Sequence, residues 1–185
     1  IQLLLKLLSD NCEIDNDTLL KYLNILKQNS YRLLRLVNNV LDSSKLENNF
    51  TDLTLVNCNI INIIENIVLS TCDYLEQNNK EIIFDTDEEE VFLSCDPDKI
   101  EKGILNLISN SLKFTDSNGK IKVKIFTDYE SKKLFVHVQN NGPEISVSDS
   151  KKIFSRFIQS DELFTKKNQG TGIGLFLCKS FIELH

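Results

Sequence analysis

From Leu19 onward, apolar residues recur at alternating intervals of four and three: Leu19, Leu23, Leu26, Leu33, Val37 and Val40, with Ser30 and Ser44 completing the series. A seam of that period, sustained for about 25 residues, commits the segment to a long helix with one apolar stripe. Asp15, Asn16 or Asp17 is positioned to cap its first turn, and the helix is expected to end near Asn48. Lys21, Lys27, Asn38 and Lys45 fall on the opposite side. One such helix cannot bury its own stripe. Either it packs on its own domain, or a second copy of the chain completes a bundle; the second is the expectation. Residues 1–8 read as the end of another helix, broken by the polar stretch 9–16. The two segments together predict part of an antiparallel helical hairpin over residues 1–49.

The pattern changes after residue 50. A strand is expected near residues 53–56, then a helix over 60–78. Strands follow at 82–85 and 91–95, around the acidic run Asp87, Glu88, Glu89, Glu90, which reads as a solvated hairpin loop. Asp96-Pro97 is a strong helix start, an N-cap followed by proline at the first helical position. That helix is expected to end near Thr115, before the turn residues Ser117, Asn118 and Gly119. Strands 120–128 and 132–139 follow, the second with Leu134, Val136 and Val138 on one face. After the loop-rich stretch 140–169, a last helix opens at the glycines, with Ile173, Leu177, Phe181 and Leu184 on one side. The expected fold is α+β, a two-layer sandwich with helices on one face of a mixed sheet, over residues 50–185.

Composition narrows the function. A net charge of −6 argues against a nucleic-acid binder, which needs a basic surface. The five cysteines, Cys12, Cys58, Cys72, Cys95 and Cys178, form no CxxC pair, which fits reduced thiols and a cytoplasmic setting. No apolar run approaches the roughly 20 residues of a membrane span. There is no Met and no signal peptide, so the chain reads as a fragment, and any membrane anchor is expected upstream of it.

Three motifs carry candidate chemistry. On the helix after Asp96, the residues Ile100, Ile104, Leu107, Ile108 and Leu112 make an apolar face, whereas Asn106, Asn110 and Lys113 share an arc of about 60° opposite it. Asparagine is a poor helix former, so this pair carries a propensity cost. Amide oxygens suit Mg²⁺, and a lysine one turn on suits a phosphate; the alternative is a merely solvated polar face. The second motif is Gly170-Thr171-Gly172-Ile173-Gly174-Leu175, where bare backbone at a helix start can approach an anion, or can serve only to reverse the chain. A dinucleotide fingerprint fits poorly, because a long polar loop rather than a strand precedes these glycines. The third is Val138-Gln139-Asn140-Asn141-Gly142-Pro143-Glu144-Ile145, a strand end that can present one side chain to a base, or a plain turn.

In this order the three resemble the ATP-binding domain of the GHKL superfamily (the Bergerat-type fold), and specifically its histidine kinase branch. The run from Asn106 to Thr115 resembles that family's N box, Ile153-Phe154-Ser155-Arg156-Phe157 its F box, and Gly170 to Leu175 its second glycine box, followed by Cys178-Lys179 and Glu183-Leu184-His185. The long first helix, ending Leu41-Asp42-Ser43-Ser44-Lys45-Leu46-Glu47, resembles the second helix of the dimerisation and phosphotransfer domain. The resemblance covers nearly the whole chain. It implies ATP and Mg²⁺ as cofactors, with Asn106 and Asn110 on the metal and phosphates and Lys113 on phosphate. Asn140 would meet the adenine, Gly170, Gly172 and Gly174 would wrap the triphosphate, and Gly142, Ile145, Thr171 and Leu175 would also bind the nucleotide. Residues 158–169 would form a mobile lid, with Arg156, Lys166 and Lys167 as candidate phosphate contacts. It further implies a homodimer, a response-regulator receiver domain as partner, and final strands beyond residue 185.

Two departures stand out. Asn140 occupies the place of the Asp in the family's first glycine box (Asp-x-Gly-x-Gly), and Glu144 occupies the place of the second Gly. An Asn oxygen can still accept from an adenine amino group, and its NH₂ can donate to the neighbouring ring nitrogen. The phosphoacceptor histidine is expected upstream of the chain, because His137 lies mid-strand and His185 closes the last helix. The readings in play are a protein-histidine kinase of a two-component system, a pseudokinase-like nucleotide or dimerisation module, and another GHKL ATPase. The heptad helix favours the first two.

Overall fold

The computed structural model describes residues 16–48, 51–150, 152–157 and 172–185. The chain divides into two compact units, Ile1–Ser44 and Lys45–His185. Helix α1 spans Asn16–Glu47, so its last turn belongs to the second unit. Its seam is open: Leu23, Leu33, Val37 and Val40 are exposed, along with Leu20 and Leu41 beside it. The expected upstream helix, residues 1–8, and Asp15 lie outside the described residues.

In the second unit the order is β1 (Val56–Asn59), α2 (Ile60–Gln77), β2 (Glu81–Thr86), β3 (Phe92–Cys95), α3 (Pro97–Phe114), β4 (Lys120–Asp128), β5 (Lys133–Asn140), the single turn α4 (Val147–Ser150) and α5 (Gly174–Leu184). The alternation expected of β5 is present, with Leu134, Val136 and Val138 half-buried on one face, and β4 alternates more sharply still: Ile121, Val123 and Ile125 are wholly buried, while Lys120, Lys122 and Lys124 face out. β4 pairs in parallel with β2 (Ile82 opposite Ile121) and antiparallel with β5 (Val123 opposite Val138). Onto this mixed sheet pack Ile60, Ile61, Ile64, Ile67, Val68 and Leu75 of α2 and Ile104 and Ile108 of α3. Both helices bury a stripe of helical period against the inner sheet face, which is the two-layer α+β arrangement the sequence implied.

Two strand expectations need correction. The first strand is Val56–Asn59, not residues 53–56. Its partner β3 ends at Cys95, opposite Val56, because Asp96 caps the next helix. Thr54 therefore donates its amide to the Asp96 carboxylate at 2.9 Å rather than to a strand. Nor do β2 and β3 form a hairpin around the acidic run: β2 pairs with β4 and β3 with β1. Residues 87–90 thus cross between two sheets. Asp87 accepts from the Thr127 amide and Glu88 from the Tyr129 hydroxyl.

The ends of α3 are fixed by residues far away in sequence. The Asp96 carboxylate accepts from Lys99 N–H at 3.1 Å as well as from Thr54. At the other end, the Lys80 ammonium donates to the carbonyls of Leu112 and Thr115, satisfying oxygens a helix end leaves open. Burial works against the Asp96 charge, but the Thr54 and Lys99 amides and the Lys99 charge prevail and hold its carboxyl below the usual range. A depressed carboxylate pKa contributes stability that is present above the unfolded value, about 3.9, and is lost as pH falls through the folded one. Asp96→Ala should therefore cost about 1.5–3 kcal/mol at pH 7, the sum of a cap and one further hydrogen bond. In urea titrations, the gap to wild type should narrow in acid below about pH 4. A gap independent of pH would contradict the role given to this carboxylate.

Candidate functional site

The polar stripe of α3 is not a solvated face. Asn106 is 6% exposed, and Gly103, one turn before it on the same side, is also buried. What covers it is α5. Gly103 faces Cys178 on α5, and a Cβ placed on Gly174 would stand 3.2 Å from the Asn106 amide oxygen. A glycine at 174 lets the first turn of α5 approach that amide without displacing it. Among the described residues no side chain caps α5, and the positive end of its dipole lies beside Asn106, where it favours an anion.

Eight residues further along α3, roughly 12 Å at the helical rise, a second glycine makes an equivalent approach. A Cβ on Gly142 would overlap the Phe114 carbonyl oxygen and stand 2.7 Å from the Asn140 amide nitrogen. The strand end carrying Asn140 is thereby held against the last turn of α3. Asn110 and Lys113, both half-buried, lie on the stretch of helix between the two contacts. One edge of α3 thus runs from an anion-favouring helix start to a strand end bearing an amide, with two amide side chains and a lysine along it. Among the described residues, no group of three or more His, Cys, Asp or Glu is placed to hold a metal. A divalent cation here would bind through the Asn oxygens together with the oxygens of its own anionic ligand, a coordination mode that suits Mg²⁺.

The other expected site residues fare variously. Gly172 adopts φ 67°, a conformation glycine reaches without strain, and its carbonyl accepts from the Phe157 amide at 3.0 Å. Leu175 is half-buried and Ile145 exposed. Lys166, Lys167, Gly170 and Thr171, with the lid segment 158–169, lie outside the described residues. Arg156, expected on phosphate, instead pairs with Glu47 and stacks over the Phe176 ring at 4.2 Å. A flat guanidinium is satisfied by a carboxylate and a ring face together, so this side chain already has partners.

The sequence reading missed one residue that organises the site. His185 accepts the Asp96 amide on Nε2 at 2.9 Å, and its Nδ1 donates to the Phe181 carbonyl at 2.6 Å. It ties the end of α5 to the start of α3, while Gly174 seats the start of α5 on the middle of α3. In the sequence it was marked by its place at the end of an apolar helix and by its match to the family's last-helix pattern, neither of which disclosed its tie to Asp96.

Comparison with known proteins decides the family. A family model described as histidine kinase-, DNA gyrase B-, and HSP90-like ATPase matches residues 95–185. The nucleotide-free catalytic domain of histidine kinase ThkA has the same fold at a TM-score of 0.60 and 33% identity, over 70% of this chain and 80% of that one. The chain belongs to the histidine kinase family. A second ThkA structure, in complex with response regulator protein TrrA, matches at a TM-score of 0.69 and 30% identity, over 94% of this chain and 47% of that chain. Hybrid signal transduction histidine kinase D of Dictyostelium discoideum is 36% identical over 171 residues, which are 89% of this chain and 11% of that protein. This histidine kinase chain therefore spans about a ninth of that relative's length. Among its described residues, no helix is long and apolar enough to cross a membrane.

Proposed function

We propose that residues 50–185 bind Mg·ATP along the edge of α3 and present its γ-phosphoryl group to a histidine upstream of the chain, for relay to a response-regulator receiver domain. The observation that carries this reading is the seat of Gly174 on the buried Asn106 amide, which opens a helix start beside a hard oxygen ligand. Bound Mg·ATP would supply the phosphoryl group and the charge that neutralises it. The chain's own residues orient and shield. Asn106 and Asn110 hold the metal side, Lys113 and the first amides of α5 take up phosphate charge, and Asn140 meets the base. Phosphoryl transfer asks little more of a protein than alignment and electrostatic neutralisation. Support for the regulator as partner is the family relationship to ThkA, whose structure with TrrA this chain matches. The open seam of α1, with Leu33 62% and Val40 52% exposed, supports residues 1–49 as a dimerisation segment that a second copy completes.

A second reading rests on Asn140 and Glu144: a module that binds nucleotide or dimerises without transferring phosphate. The two are separated by incubating the longer protein with γ-labelled ATP. Transfer predicts an acid-labile label that the Asn106→Ala variant lacks, while the present chain alone stays unlabelled. Both ring nitrogens of His185 are already engaged, and His137 sits edge-on to Phe126 on β5. Stable label on either would overturn the assignment.

Asn140 also sets a specificity test. Its amide matches adenine, accepting from the amino group and donating to the ring nitrogen, and when flipped it also matches guanine. A carboxylate only accepts. Asn140→Asp should raise the ATP-to-GTP affinity ratio by one mismatched hydrogen bond, about 1–3 kcal/mol or roughly 5- to 150-fold. Calorimetric titration of both nucleotides reads it, and an unchanged ratio means Asn140 does not meet the base.

A further inference from the structure

Away from the edge of α3, two thiols face each other. Cys58 on β1 and Cys95 at the end of β3 place their sulfurs 3.3 Å apart. In the register of the ribbon, Cys58 stands opposite Leu93 and Cys95 opposite Val56, so the pair is diagonal on one face. Cys95 is 1% exposed and Cys58 half-buried. Burial first, and the Cys58 sulfur second, push the Cys95 thiol up to about 12. Cys95 is therefore a poor nucleophile by itself, and the more accessible Cys58 is the sulfur that a solute can reach. The remaining described thiols stand elsewhere: Cys72 donates to the Val68 carbonyl and Cys178 is buried against Gly103.

We propose that Cys58 and Cys95 form a redox-active dithiol which hydroperoxides convert to an intramolecular disulfide, disturbing the N-cap of α3. The Cys58 thiolate attacks one peroxide oxygen and the O–O bond breaks, giving a sulfenic acid on Cys58; the hydroxide or alkoxide that leaves takes up the proton the thiol gave away and departs as water or an alcohol. The Cys95 sulfur then attacks the Cys58 sulfur. The S–S bond forms as the S–O bond breaks, and the Cys95 proton leaves with the hydroxyl as water. In sum the two thiols lose two protons and two electrons, and the peroxide takes up both to give water and a second water or an alcohol.

The diagonal register gives this disulfide its character. A disulfide needs Cβ atoms about 3.5–4.5 Å apart, closer than diagonal neighbours ordinarily stand. With the sulfurs already 3.3 Å apart, closure shortens their separation to about 2.05 Å, and that movement is passed to β1 and β3. It reaches Asp96, the residue after Cys95. Asp96 holds Thr54 and Lys99 through its carboxylate and His185 through its amide. Oxidation at the ribbon thus loosens the start of α3 and its tie to α5. The consequence for ligand binding rests on the nucleotide reading above; the disulfide does not.

The test treats the reduced chain with hydrogen peroxide, blocks remaining thiols with N-ethylmaleimide, and maps peptides by mass. The expected product is a Cys58–Cys95 linked peptide, lighter by two hydrogens, absent from Cys58→Ser and reversed by dithiothreitol. Amide exchange at Thr54 and Lys99 should quicken in the linked protein, and Mg·ATP affinity should fall about tenfold, the equivalent of one disturbed hydrogen bond. Maleimide on both Cys58 and Cys95 under conditions that oxidise Cys72 would overturn the dithiol. A linked protein with unchanged exchange would overturn its coupling to α3. If reduced protein binds no nucleotide, the site reading fails while the linkage result stands.

Discussion

Asn106→Ala should remove most nucleotide affinity and leave the fold in place. The residue sits in the middle of α3, 6% exposed, under the first turn of α5. Alanine is the better helix former, so the propensity gain offsets part of what the lost amide contributes to stability. Binding has no such offset. A hard oxygen ligand disappears at the point where metal, phosphate and helix start are to meet. A hydrogen bond or ligand to a charged group is worth about 1.5–3 kcal/mol, so affinity for Mg·ATP should fall roughly 10- to 150-fold. Calorimetry reads the affinity, and thermal melting reads the fold. Lost affinity with a melting point near wild type is the expected pair of results. Unchanged affinity in a folded variant would remove Asn106 from the site.

Gly142→Ala should do the opposite, damaging the fold first. The added methyl would overlap the Phe114 carbonyl oxygen. That oxygen belongs to a helix end with little freedom to move, since Lys80 grips the Leu112 and Thr115 carbonyls on either side. Overpacking costs typically 1–3 kcal/mol. With a backbone atom as the obstacle, the upper end applies, about 3 kcal/mol, or a fall in melting temperature of roughly 6–12 °C for a unit of this size. The contrast is Gly174→Ala, whose methyl meets the end of a side chain at 3.2 Å. It should cost little stability and act mainly on affinity, by displacing the Asn106 amide.

The elements that were legible in the sequence were those whose own residues dictate them. Asp96-Pro97 announced α3 because cap and proline act within one turn, and β5 announced itself by the alternation of Leu134, Val136 and Val138. What could not be read was partnership. Residues 82–85 and 91–95 are strands by composition, but nothing local says that the first pairs with β4 and the second with β1. Thr54 left its expected strand because a carboxylate 42 positions away takes its amide. At the site, the spacing of Asn106 and Asn110 placed them on one stripe, and periodicity set that stripe opposite the apolar face. It could not say that α5 buries Asn106, because Gly174 and Gly103 make that possible from two different helices. Arg156 was named a candidate phosphate contact, and nothing near it in the sequence foretold its pairing with Glu47 or its place over the Phe176 ring.

The central claim is that the base lies at the Asn140 end of α3 and the phosphates at the Gly174 end. Photolabelling with an azido-adenine analogue of ATP tests it directly, since the reactive group sits on the base. Label is expected on the peptide carrying residues 140–145, dependent on Mg²⁺ and displaced by excess ATP. Label on another peptide, or label at 140–145 that ATP does not displace, would contradict it.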